Sequence, residues 1–126
     1  MTDRELMDLA IRAADMAYAP YSKFRVGAAL ECADGTVYTG CNIENASYGG
    51  TICAERVAVG KAVSEGHRAF RRIAIYGPSA GWCTPCGICR QVLAEFGPDL
   101  IVLCARQDGS FRSWILPELL PESFSL

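Results

Sequence analysis

A chain of 126 residues is long enough for one core and short for two, so residues 1–126 are expected to form a single domain. With 51% hydrophobic and 21% charged residues, it has the composition of an ordinary globule rather than of a disordered chain. The formal net charge of −2 offers no broad attraction for nucleic acid or an anionic membrane. No apolar run approaches the ~18 residues of a membrane span, and the charged start Met1-Thr2-Asp3-Arg4-Glu5 has no leader-like apolar stretch, so the expected compartment is the cytoplasm.

Leu6, Leu9, Ala10, Ala13 and Ala17 recur at helical spacing and predict a first helix over about Thr2–Ala17, capped near Thr2 or Asp3 and stopped by Pro20. Tyr18 to Phe24 is then a loop rich in aromatic residues. Arg25 to Cys32 reads as a buried strand, Asp34-Gly35 as a hairpin turn, and Val37 to Asn42 as the returning strand. Asn42 to Gly50 is polar and turn-rich at a strand end, where α/β proteins place binding groups; a turn-stabilising role for Asn42 and Glu44 stands equally open. Thr51 can cap a second helix from about Ile52 to Glu65, with Gly66 as its terminator. Arg72 to Tyr76 is a short strand. Thr84 can cap a third helix from Pro85 to about Phe96, which ends at Gly97-Pro98. Leu100 to Ala105 is an apolar strand, Phe111 onward adds an edge, and the tail from Ile115 permits only a short helix. Helices alternating with strands after an opening hairpin imply an α/β layered domain with a mixed sheet.

The seven cysteines are an odd number, and in a reducing compartment they are packing residues, metal ligands or catalytic groups. Cys32, Cys41 and Cys104 fall in or beside strand-like runs and read as packing. Cys53, Cys86 and Cys89 instead fall at the expected starts of the second and third helices, where partial positive charge favours thiolate. Three thiolates without an evident fourth ligand suit a catalytic zinc site, which keeps a position for water. The single histidine, His67, reads as a surface residue. Glu55, two residues after Cys53, can take and return a proton of that water. Three thiolates around Zn²⁺ leave an excess of one negative charge, which Arg56 and Arg90 are placed to offset.

Cys53-Ala54-Glu55-Arg56 and Pro85-Cys86-Gly87-Ile88-Cys89-Arg90-Gln91 together resemble the zinc-dependent nucleoside and nucleobase deaminases. The chain is most similar to the small homotetrameric cytidine deaminases. The likeness also takes in Tyr18-Ala19-Pro20-Tyr21-Ser22-Lys23-Phe24, Val26-Gly27-Ala28-Ala29-Leu30, Asn42 to Tyr48 and Leu120-Pro121-Glu122-Ser123-Phe124. It implies a three-layer α-β-α sandwich around a mixed sheet of about five strands. One Zn²⁺ per chain would be held by Cys53, Cys86 and Cys89, with Glu55 as the proton shuttle for attack of hydroxide at C4 of cytidine or 2′-deoxycytidine, a reaction of pyrimidine salvage. It further implies that Asn42 and Glu44 bond the ribose, that Phe24 packs on the base, and that the Ala54 backbone meets the base edge. Tyr48 and Phe124 would approach a neighbouring subunit's site in a homotetramer. An Asn and a Glu committed to the ribose would reject bare cytosine, which would leave them unpaired. Three rivals stand beside this: a structural zinc module without turnover, a thiol redox protein using one Cys-x-x-Cys pair, and a deaminase of a modified cytosine nucleoside. The negative net charge disfavours a polynucleotide substrate.

Overall fold

A computed structural model describes residues 1–126 as a five-stranded sheet and four helices. In chain order these are α1 (Asp3–Ala14), β1 (Gly27–Cys32), β2 (Val37–Cys41), α2 (Ala54–Ser64), β3 (Phe70–Tyr76), α3 (Gly87–Phe96), β4 (Ile101–Ala105), β5 (Phe111–Ile115) and the single turn α4 (Leu116–Leu119). The strands lie in the order β2-β1-β3-β4-β5. Only β3 and β4 run parallel, joined through α3; the other neighbours are antiparallel.

The two-residue period of the strands sorts the core into two layers. Ala28, Leu30, Cys32, Ile73, Ile75, Val102 and Cys104 point to the side covered by α2 and α3. Ala29, Ala74, Leu103 and Ala105 point to the other side, where Leu6, Met7 and Ala10 of α1 meet them. This is the expected three-layer sandwich with a mixed sheet of five strands.

Each face seats a helix on a glycine. A methyl group on Gly27 would fall 2.0 Å from the Ala10 carbonyl oxygen, so the backbone of α1 rests directly on β1. A methyl group on Gly40 would fall 2.4 Å from the Ala54 carbonyl oxygen and 2.7 Å from the Ala58 nitrogen. The first turn of α2 therefore rests on β2, and its depth is set by the missing side chain.

Several boundaries differ from expectation. α1 ends at Ala14 rather than Ala17, because the amides of Met16 and Ala17 turn to carbonyls three residues back before Tyr18 pairs with Asn42. α2 and α3 begin at Ala54 and Gly87, two residues later than Thr51 and Thr84 would have placed them, and their N-caps are Cys53 and Cys86 themselves. Cys53 (ψ 152) and Cys86 (ψ 169) are extended, as a residue is just outside a helix.

Candidate active site

Moving the helix starts to the cysteines has a chemical result. Neither α2 nor α3 has a side-chain hydrogen bond at its N-cap, so the free N–H groups of both first turns and their partial positive charge face the thiols. Cys89, in the first turn of α3, completes the group, and the three sulfur atoms lie within 4.8 Å of one another. Cys53 and Cys86 are 3.9 Å apart at sulfur. A tetrahedral ion with zinc–sulfur bonds of 2.3 Å needs sulfurs about 3.8 Å apart, so the donor set fits zinc in both element and spacing. Cys89 is buried, Cys53 half-buried and Cys86 exposed, which leaves the group open on one side.

The surrounding charges favour thiolate. The thiol of Cys53 is held down at about 5 by a hydrogen bond from Cys89, with Arg56 adding to it. The same bond, with burial, holds the Cys89 thiol up. Arg56 donates Nη2 to the Cys53 sulfur at 3.4 Å and lies against Cys89 as well. Its Nε is the one buried side-chain polar atom without a partner. Arg90 is placed differently. Its Nε donates to the Pro85 carbonyl at 2.7 Å and its Nη1 to the Leu119 carbonyl at 2.7 Å, so its hydrogen bonds brace the metal loop against α4 and none goes to sulfur.

Glu55 lies in the first turn of α2 and is only 4% exposed. Burial pushes its carboxyl up to about 7, and the negative charge of Cys53 adds to the effect. A group balanced near neutrality two residues from a metal ligand can both accept and return a proton. Ala54, fully buried, places its backbone between Cys53 and Glu55.

Of the remaining predicted residues, Phe24, Asn42, Glu44 and Tyr48 gather in the loops that follow α1 and β2. Tyr18, Ile43 and Ile52 form isolated bridges that zip the loop after α1, the segment after β2 and the approach to Cys53 side by side. Asn42 Oδ1 accepts from the Val26 amide at 2.9 Å, and Nδ2 donates to the Phe24 carbonyl at 2.7 Å; one N–H and one lone pair stay free. Glu44 Oε1 accepts from the amides of Tyr21 (3.0 Å) and Ser22 (3.1 Å), and Oε2 accepts from the Ser22 hydroxyl. Those bonds, the Ser22 hydroxyl foremost, hold its carboxyl below the usual range. Glu44, Ser22, Tyr21, Tyr48 and Thr51 line an open cleft of about 320 Å³, in which the rings of Tyr21 and Tyr48 meet edge to face at 5.9 Å. Phe124 is not part of it. Its carbonyl accepts from Gln91 Nε2 at 3.0 Å, and its exposed ring lines a separate groove between α3, α4 and the tail.

Motif spacing gave two residues no role. A methyl group on Gly77 would fall 2.6 Å from the Cys83 sulfur and 3.0 Å from the Phe24 ring, so the missing side chain of Gly77 leaves room for both. Burial, with the charge of Glu55, pushes the Cys83 thiol up to about 12, so it stays protonated. Its position three residues before Cys86 is the only sequence signal, and three-dimensional contact alone gives it meaning.

Residues 1–105 match a family model described as the cytidine and deoxycytidylate deaminase zinc-binding region. The chain is 49% identical over 125 residues to a cytidine deaminase of Halalkalibacterium halodurans, covering 98% of this chain and 95% of that one. It superposes on the crystal structure of a cytidine deaminase from Burkholderia pseudomallei with a TM-score of 0.95 and 47% identity, covering 98% of this chain and 100% of the other. It is also 32% identical over 131 residues to a blasticidin-S deaminase of Bacillus cereus, covering 98% and 92%.

Proposed function

The chain belongs to the zinc-binding cytidine and deoxycytidylate deaminase family, and from that premise we propose that it hydrolyses cytidine and 2′-deoxycytidine to uridine and 2′-deoxyuridine, releasing ammonia. The observation that carries the reading is one of composition and place together: three thiols within 4.8 Å at two uncapped helix starts, with the buried Glu55 beside them. Cys53, Cys86 and Cys89 would hold the ion. Zinc bound there supplies the Lewis acidity that makes hydroxide available near neutral pH.

The chain's own groups do the rest. Glu55 accepts the proton released when water becomes hydroxide and delivers it to N3 of the pyrimidine as C4 is attacked. It then takes the proton of the new C4 hydroxyl and carries it to the amino group, which departs as ammonia as the C4 carbonyl forms. Asn42 turns its free N–H and lone pair to the ribose, Glu44 offers its remaining acceptor site to a ribose hydroxyl, and Phe24 covers the base face. The Ala54 backbone meets the base edge. Arg56 offsets thiolate charge through its bond to Cys53, and Arg90 contributes its charge without touching sulfur while holding the Pro85 carbonyl.

The exposed surface supports an assembly with shared sites. Tyr48 (76% exposed), Phe124 (69%) and Ile88 (63%) are large apolar groups left uncovered, and we assign them to contacts in a homotetramer in which Tyr48 and Phe124 approach a neighbour's cleft. No helix is long and apolar enough to cross a membrane, and cytoplasmic operation is part of the same proposal.

Absorbance of cytidine mixed with the purified chain, with ammonia and zinc measured on the same sample, tests the reaction. Loss of the cytidine band with about one zinc per chain supports it. Zinc without turnover of either nucleoside, together with deamination of a modified cytosine nucleoside, would replace the substrate. Light scattering reads the assembly, and a monomer would refute the shared sites.

A further inference from the structure

The segment between the expected sugar-binding and base-covering residues is wired in a way that neither role requires. Ser22 sits between them. Its hydroxyl donates to Glu44 Oε2, while the same oxygen accepts the Phe24 amide at 3.0 Å. Its own amide donates to Glu44 Oε1 at 3.1 Å. Between Ser22 and Phe24, Lys23 takes φ +61, in the left-handed region. For a residue with a side chain that conformation is disfavoured, so the bonds on either side of it must hold it there.

The backbone of Phe24 is held on both sides: its amide donates to Ser22 Oγ at 3.0 Å and its carbonyl accepts from Asn42 Nδ2 at 2.7 Å. Its ring lies close to Gly77, the residue is 37% exposed, and the Ser22 hydroxyl that anchors its amide is oriented by the Glu44 carboxylate. Ser22 also lines the cleft beside Glu44 and Tyr48.

We infer that Ser22 is a positioning residue that couples sugar recognition at Glu44 to base packing at Phe24, so that the two contacts form as one unit. The inference rests on the nucleoside reading above. A ribose hydroxyl that takes the last acceptor site of Glu44 pulls on a carboxylate already tied to Ser22. Through the Ser22 oxygen it tightens the existing hold on the Phe24 amide, and so on the residue that carries the ring. A ligand without a ribose would leave that acceptor site of Glu44 unused and would not draw on the link.

The test uses the zinc-loaded enzyme and its Ser22→Ala, Ser22→Thr, Glu44→Gln and Ser22→Ala/Glu44→Gln variants, with Ser22→Gly as a second way to remove the hydroxyl. Steady-state kinetics on cytidine, calorimetry with uridine as a non-reacting ligand, zinc content and melting temperature are measured for each. Ser22→Ala is expected to raise KM and the uridine Kd about tenfold, with kcat within about threefold of the parent and zinc retained. Ser22→Thr, which keeps the hydroxyl, should recover most of the affinity. The double variant should be little worse than Glu44→Gln alone. Independent, multiplying losses in the double variant would overturn the coupling, as would an unchanged KM in both Ser22→Ala and Ser22→Gly. A loss of melting temperature with KM preserved would show that Ser22 only stabilises the loop. If the parent chain itself leaves cytidine unchanged and binds no uridine, the nucleoside reading fails and takes the coupling with it.

Discussion

α1 and α2 lie on opposite faces of one sheet, and each presses its backbone onto a glycine, yet their first turns are built for different purposes. α1 is closed. Thr2 accepts the Glu5 amide at 3.1 Å, and Glu5 accepts the Thr2 amide at 2.8 Å, a complete capping box. α2 is left open, with a cysteine at its N-cap and no side chain satisfying its first amides; α3 repeats that arrangement. Charge is distributed in the same way. Glu31, buried on the α1 side, is neutralised by paired bonds from Arg72 at 2.7 and 2.8 Å, whereas the buried Glu55 has no such partner and is pushed up to about 7. One face of the sheet is satisfied, and the other is held in readiness for a metal and a substrate.

The contrast can be broken from either side. Glu55→Gln should lose about 10²–10⁴-fold in kcat with zinc retained, and near-normal turnover would end the proton-shuttle role. On the closed face, Arg72→Ala strips the buried Glu31 of both its hydrogen bonds, leaving only Arg71 at 3.9 Å, and should cost about 3 kcal/mol by urea titration, with kcat per folded molecule unchanged. Between these stands the glycine pair. Gly40→Ala and Gly27→Ala should each destabilise by about 1–3 kcal/mol through overpacking, but only Gly40→Ala should also depress kcat, since it displaces the turn that carries Glu55. Equal kinetic effects of the two would erase the distinction between faces. The smallest effect is Thr2→Ala, about 1 kcal/mol and kinetically silent.

A pH titration sharpens the same point. The carboxyl of Glu31 is held below its usual range by the Arg72 hydrogen bonds. Its folded pKa is therefore the lower one, so the pair's contribution is complete above about pH 4.5 and is lost as pH falls through the folded value. Melting temperature followed below about pH 5 should fall more steeply in the parent than in Arg72→Ala.

Much of this was legible in the chain. Apolar periodicity gave α1, the Asp34-Gly35 pair gave the hairpin between β1 and β2, and the spacing of Cys53, Glu55, Cys86 and Cys89 marked the group that the fold assembles. What stayed hidden depends on contacts across elements. Thr51 and Thr84 are better caps than cysteine by local preference, but the chain stays extended through Cys53 and Cys86, and the helices begin where the sulfurs converge. Gly27, Gly40 and Gly77 look alike in sequence; which backbone or ring approaches each is decided by packing. Arg90 follows a ligand cysteine, as a partner of sulfur would, yet carbonyls of the metal loop and α4 lie within its reach. Cys83 had only its place three residues before Cys86 to mark it.

Cys53 and Cys86 are 33 residues apart in the chain and 3.9 Å apart at sulfur. An ion held by both would act as a removable cross-link, closing a loop of chain between α2 and α3 and taking from the unfolded ensemble about 3–4 kcal/mol of freedom if it behaved as a disulfide of that span. Unlike a disulfide, it would need no oxidising compartment and could be withdrawn by a chelator, so the supply of metal would govern how long a newly made chain lasts as well as whether it works.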